Sequence, residues 1–70
     1  MQPRDDEICS ASCDGREFRI VADPNVGFYL YVFENGRCIR DYLQDSEAIA
    51  KEMAEDDFGV PASVWHAKNK

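Results

Sequence analysis

FYLYVFENGRCIRDYL, residues 28–43, consists of two strand-like runs joined by Asn35-Gly36. A type I′ turn needs positive φ at both central residues, and Asn followed by Gly tolerates this best. The dipeptide between β-rich runs therefore predicts a hairpin. A two-residue loop also sets an expected register. Glu34 faces Arg37, Phe33 faces Cys38, Val32 faces Ile39, Tyr31 faces Arg40, Leu30 faces Asp41, Tyr29 faces Tyr42 and Phe28 faces Leu43. Side chains alternate across a strand, so two sets follow. One is aliphatic and core-like: Phe28, Leu30, Val32, Ile39 and Leu43, with Asp41 as its exception. The other carries Tyr29, Tyr31, Phe33, Cys38, Arg40 and Tyr42, amphipathic side chains suited to a half-wet surface or an interface.

Upstream, Arg16–Ala22 reads REFRIVA, with Phe18, Ile20 and Ala22 alternating against Glu17, Arg19 and Val21. That is a half-buried strand. Asp23-Pro24-Asn25-Val26-Gly27 is turn chemistry, so this strand should pair antiparallel with the next and place Phe18, Ile20 and Ala22 beside Phe28, Leu30 and Val32. Arg19 and Val21 then join the aromatic face. Gly15 turns the chain into this strand. Residues 1–14 show no period of 2 or 3.6 and are expected to form a flexible arm, which Ile8 and Cys9 could tack onto the body.

Downstream the period changes to that of a helix. Asp45, or Ser46 one place later, can cap it, and Glu47 sits in the first turn where the positive helix end favours an acid. Ile49 and Met53, with Ala50, Ala54 and Phe58, form the apolar stripe, while Glu47 and Lys51 make an i, i+4 pair outside it. Gly59 is the expected left-handed stop, Val60 folds back onto the last turn, and Pro61 prevents continuation. A lone helix of this length is marginal in water, so its stripe must cover the aliphatic face of the sheet. Trp65, with Val60 and Val64, should close one end of that layer. The expected fold is α+β: a three-stranded antiparallel meander with one helix across one face, spanning residues 15–66, with residues 67–70 frayed.

The run DYLQDSEAIAKEMAEDDFGVPASVW resembles the C-terminal half of small bacterial β-β-β-α proteins. Their pattern is an aspartate near a strand end, a capped Ala-rich helix, an FGV-like turn and a Trp soon after. Here that corresponds to Asp41, Asp45, Ala50, Ala54, Phe58-Gly59-Val60 and Trp65, over about a third of the chain. The resemblance implies a fold, and for some domains of this shape an immunity or accessory role. It carries no catalytic residue across.

Composition bounds the function. Seventy residues make one domain, and a chain this short buries only about 60% of its unfolded surface, leaving a thin stability margin. With 8 basic and 14 acidic residues the net charge is −6, which disfavours nucleic acid, whose binding relies on neutralising phosphates. A basic protein is a better match, although spread acids also serve simple solubility. No apolar run is long enough to span a membrane, and the first residues lack the apolar segment of a secretory signal, so the cytoplasm is the expected compartment.

Three cysteines are an odd number for a disulfide framework and are expected reduced. With Cys9 and Cys13 spaced C-x3-C, Cys38 beside the hairpin turn and His66 near the end, tetrahedral zinc is the alternative reading. Against it, Cys9 and Cys13 lie in the expected arm, Cys38 and His66 are isolated with no second short-spaced pair, and Cys38 can pack as a small hydrophobe. Catalysis is not expected. There is one His, no identifiable orienting carboxylate and no Gly-rich loop to bind an oxyanion. Asp41 on the core face could be a perturbed acid, but a position at a strand end, exposed or capping the following turn, is the preferred reading. The acids Glu55, Asp56 and Asp57 point apart on a helix and form a solvated face. No cofactor is expected. The remaining candidate is a binding surface of Arg19, Tyr29, Tyr31, Phe33, Arg40 and Tyr42, open if only one helix covers the sheet, and covered if either terminus folds over it. Such a surface would serve a protein partner or, by two-fold pairing, a homodimer.

Overall fold

Two tight turns, each with left-handed backbone at both central residues, shape most of the sheet. Asn35 and Gly36 have φ of 55° and 80°, and Asp14 and Gly15 repeat the geometry with φ of 54° and 79°. The structure, a computed structural model, describes residues 7–67. The order is β1 (Glu7–Cys13), β2 (Arg16–Asp23), β3 (Gly27–Glu34), β4 (Arg37–Gln44), α1 (Glu47–Phe58), one 3-10 turn (Ala62–Val64) and the short β5 (His66–Ala67). The strands form one antiparallel sheet in the order β4-β3-β2-β1-β5. The α+β class and the helix covering one face are as the sequence predicts, but among the described residues the sheet has five strands, not three.

The two added strands have a common physical origin. Residues 9–13 alternate Cys9, Ala11 and Cys13 against Ser10 and Ser12, a period-2 pattern written in small side chains. Cys9 and Ala11 are buried opposite Ile20 and Phe18, and Ile8, the extra residue of a bulge, also packs on the core. The expected arm is therefore a strand from Glu7 onward, and β5 pairs with its outer edge through Cys9–Ala67 and Ser10–His66. Residues 1–6 and 68–70, the rest of the expected arm and most of the expected frayed end, lie outside the described residues.

The pairing of β2 with β3 follows expectation, with Phe18 opposite Val32, Ile20 opposite Leu30 and Ala22 opposite Phe28. The β3–β4 register does not. It starts as predicted, Glu34 with Arg37 and Phe33 with Cys38, and then shifts between Val32 and Phe33. Ile39 is the extra residue. Val32 now faces Arg40, Leu30 faces Tyr42, Tyr31 faces Asp41 and Tyr29 faces Leu43. Every side chain beyond the bulge changes face. Asp41, the exception in the expected core, moves out; Tyr42 packs against the core, and Leu43 emerges 49% exposed.

Phe18, Ile20, Leu30, Val32, Ala50, Ala54 and Val60 form the buried layer between sheet and helix. Ala50 and Ala54 are the only fully buried helix positions, and their size lets α1 lie close to the strands. Ser46, the later of the two candidate caps, begins the helix, its Oγ accepting a bond from the Ile49 amide at 3.1 Å. Gly59, at φ 74°, ends it. The Gly59 amide donates to the Glu55 carbonyl at 2.9 Å and the Val60 amide to the Ala54 carbonyl at 3.2 Å. Phe18 anchors the far end against Phe58 and, edge-on, against Trp65, with centroids 5.5 and 6.5 Å away.

Two substitutions test this packing. Gly27 has φ 136°, and a Cβ there would meet the Gln44 carbonyl oxygen at 2.5 Å. Gly27→Ala is expected to lose about 2 kcal/mol of stability, since backbone in such a region cannot relax without parting β3 from β4. Trp65→Ala should lose about 2–3 kcal/mol with the ring's packing on Phe18. Urea denaturation followed by circular dichroism reads both; unchanged midpoints would contradict the contacts described.

Candidate binding face of the sheet

Antiparallel register places the open-face residues in three rows across the sheet. Leu43, Tyr29, Val21 and Glu7 form the first. Asp41, Tyr31, Arg19, Ser10 and His66 form the second. Cys38, Phe33, Glu17 and Ser12 form the third. Among the described residues, α1, the 3-10 turn and Trp65 all pack on the opposite face. The Tyr29, Tyr31 and Phe33 rings run along β3 as a continuous stripe. Tyr29 and Tyr31 are stacked at 5.7 Å with planes 17° apart, and Tyr31 and Phe33 are tilted at 6.5 Å. Beside them Val21 is only 2% exposed, so the stripe has a dry flank as well as wet rims.

Arg19 is held in place from three sides. Its guanidinium lies 5.1 Å over the Phe33 ring, donates to Glu17 Oε2 at 2.9 Å and approaches Glu7 Oε1 at 3.9 Å. Such a planar cation can stack on a ring and fork to a carboxylate at once. Four of the six side chains expected on this surface, Arg19, Tyr29, Tyr31 and Phe33, are thus brought together. Tyr42 and Arg40 are not. The bulge at Ile39 turns Tyr42 toward Leu30 and the core, and sets Arg40 opposite Val32, its Nη1 donating to the Ile39 carbonyl at 2.9 Å. Asp41 and Leu43 take places on the face, beside Val21, which lies there as expected. The signal for the first two was the misfit itself: an aspartate at a core position argues for a slipped register, because an unpaired buried carboxylate costs several kcal/mol.

The four residues of the zinc reading are dispersed. Cys9 and Cys13 point to the core side; Cys9 Sγ donates to Glu47 Oε2 at 3.9 Å and Cys13 Sγ to the Gly59 carbonyl at 3.8 Å. Cys38 lies on the open face at one edge of the sheet and His66 at the other, with three strands between them, roughly 19 Å at about 4.8 Å per strand. Among the described residues no three His, Cys, Asp or Glu side chains gather around a common point. Nor is a helix of these residues long and apolar enough to cross a membrane. No family model, curated protein or solved structure matches the chain.

Burial pushes the Cys9 thiol up to about 11, with the neighbouring Glu47 and Glu7 carboxylates adding to the shift and Lys51 opposing it. The reactive thiolate is therefore scarce at neutral pH. Alkylation by iodoacetamide at pH 8, followed by peptide mass spectrometry, should label exposed Cys38 first and Cys9 last. The same shift predicts a pH effect. A folded-state value above the ordinary 9.0 means the unfolded chain sheds its proton first, so stability is full below pH 9 and falls as pH rises toward 11. The loss attributable to Cys9, up to about 2–3 kcal/mol, should be absent from the Cys9→Ala profile and so remain as the pH-dependent difference between it and wild type, both measured by urea denaturation.

Proposed function

We propose that the chain is a non-enzymatic protein–protein interaction module that engages a partner through the open sheet face. The supporting observation is the asymmetry of the sheet. One face is closed by a helix; the other presents three stacked or tilted aromatic rings with Leu43 at 49% exposure beside them. Contiguous apolar surface rimmed by polar groups is characteristic of interfaces, and aromatic side chains contribute large contact area at small entropic loss. Four strands of about eight residues offer a footprint of roughly 500 Å², from about 4.8 Å between strands and 3.3 Å per residue. Doubled across two partners, this is about 1,000 Å², at the lower bound for a specific interface. An accessory or immunity-like role, as the resemblance of the C-terminal half implies, is compatible with such a surface and needs no catalytic group.

Tyr31 sits at the centre of the stripe, and its ring covers no part of the helix-side core. Tyr31→Ala should therefore leave the fold intact while weakening association at least tenfold, the range of an interface hot spot. Retention of proteins from the source cells on immobilised wild type, compared with Tyr31→Ala and with the helix-surface control Glu52→Ala, reads this directly. A species lost only with Tyr31→Ala supports the reading; identical profiles for all three contradict it. A native mass spectrum of the reduced protein adds a second check, since a monomer carrying one zinc would displace the open face as the functional feature.

A further inference from the structure

The open face contains one arrangement twice, filled once. In the third row, the carboxylate of Glu17 lies directly across from the Phe33 ring, and the Arg19 guanidinium sits over that ring while bonding Glu17 at 2.9 Å. In the second row, the carboxylate of Asp41 lies directly across from the Tyr31 ring. Cross-strand neighbours of this kind have Cβ atoms about 4.5–5.5 Å apart, so one cation can touch both. Asp41 is exposed and, among the described residues, makes no ion pair. The nearest base on the face, Arg19, is committed to Glu17 and Glu7.

We propose that Tyr31 and Asp41 form a recognition site for an arginine side chain of a protein partner, whose guanidinium forks to the aspartate and donates to the tyrosine hydroxyl. This rests on the open-face reading and names the chemistry of the partner. A guanidinium fits better than an ammonium because it donates two parallel bonds to one carboxylate and keeps further donors for a neighbouring oxygen. The electrostatics of the surroundings agree. Glu7, Glu17 and Asp41 against Arg19 leave the three rows with three acids and one base, and the whole chain carries −6. A second copy would bring a face of the same sign, its own Arg19 already paired. A basic segment with apolar residues between its arginines would meet both the carboxylate and the Tyr29–Leu43 flank.

The test is a titration of 15N-labelled protein with the peptide acetyl-Val-Arg-Val-Arg-Val-amide at millimolar concentration, beside its citrulline counterpart, which keeps the shape and loses the charge. Amide shifts centred on Tyr29, Tyr31, Asp41 and Leu43, absent with citrulline and weakened about fivefold or more in Asp41→Asn, are the expected result. Because Asp41 is exposed, Asp41→Asn should keep the wild-type spectrum otherwise, which separates lost recognition from lost fold. Equal response to the citrulline peptide, no response, or shifts centred on the Glu52–Asp57 acids of α1 would overturn the proposal. Sedimentation of wild type and Tyr31→Ala separates the two levels of inference. A wild-type dimer abolished by Tyr31→Ala and undisturbed by the arginine peptide would keep the open face as an interface and overturn the arginine site. A monomer with no response to the peptide removes the arginine site too, and leaves the interaction module to the retention experiment alone.

Discussion

A carboxylate cannot share a face with Leu30 and Val32, and the arrangement of β4 follows from that constraint. In a regular hairpin Asp41 would point into the layer under α1, where desolvation of its charge has no compensating partner. One additional residue at Ile39 reverses the strand from Arg40 onward. The bulge sacrifices ladder regularity on an edge strand, where bulges are common and also discourage pairing with other chains. In return the charge reaches water, Ile39 still reaches the core, and Tyr42 takes the place of Leu43 against the buried layer. The face that results is the one carrying the candidate site, so a single desolvation penalty decides which side chains a partner can meet.

Side-chain volume explains what was legible and what was not. The Asn35-Gly36 hairpin, the strand from Arg16, and the helix with its glycine stop are written in large side chains and positive-φ residues, and periodicity and turn chemistry recover them. The strand β1 is written in Cys, Ala and Ser. Its alternation is as regular, but side chains this small carry little hydrophobic amplitude, and Asp14-Gly15 beside it carries the same turn code as Asn35-Gly36. Small residues are required there because Phe18, Phe58 and Trp65 crowd the adjoining space, and bulkier neighbours would displace them. The same logic holds for α1, where Ala50 and Ala54 are fully buried while Ile49, a stronger apolar signal, is 43% exposed. Hydrophobic size therefore misled in both directions. β5, two residues long, has no local signature, and exists because β1 offers it an edge.

The candidate site was legible to the same extent and for the same reason. Arg19, Tyr29, Tyr31 and Phe33 lie on β2 and β3, whose register is regular, so alternation alone places them. Arg40 and Tyr42 lie beyond the bulge, and a shift of one residue is invisible to a period of two until something, here Asp41, is found on the wrong side. The face is also tied to the core through its backbone. The strands that display the rings are those whose alternate residues, Phe18, Ile20, Leu30 and Val32, are fully buried or nearly so. The display surface inherits the rigidity of the layer beneath it.

That rigidity bears on how an acidic chain of this size can bind selectively. Long-range attraction by a charge of −6 raises encounter rates with any basic partner, and is screened beyond about 8–10 Å at physiological salt. It does not discriminate among them. Discrimination needs charges whose positions are set before the partner arrives, because ordering a flexible side chain on binding costs free energy. Tyr31 is braced by Tyr29 on one side and Phe33 on the other, and Arg19 is fixed by Phe33, Glu17 and Glu7. Asp41 has a short side chain on a paired strand, with few rotamers to lose. A partner cation placed one strand away would meet Arg19 instead and be repelled. The alternation of acid, ring and base along the second row, Asp41, Tyr31, Arg19, thus selects against misregistered docking as well as favouring the aligned one.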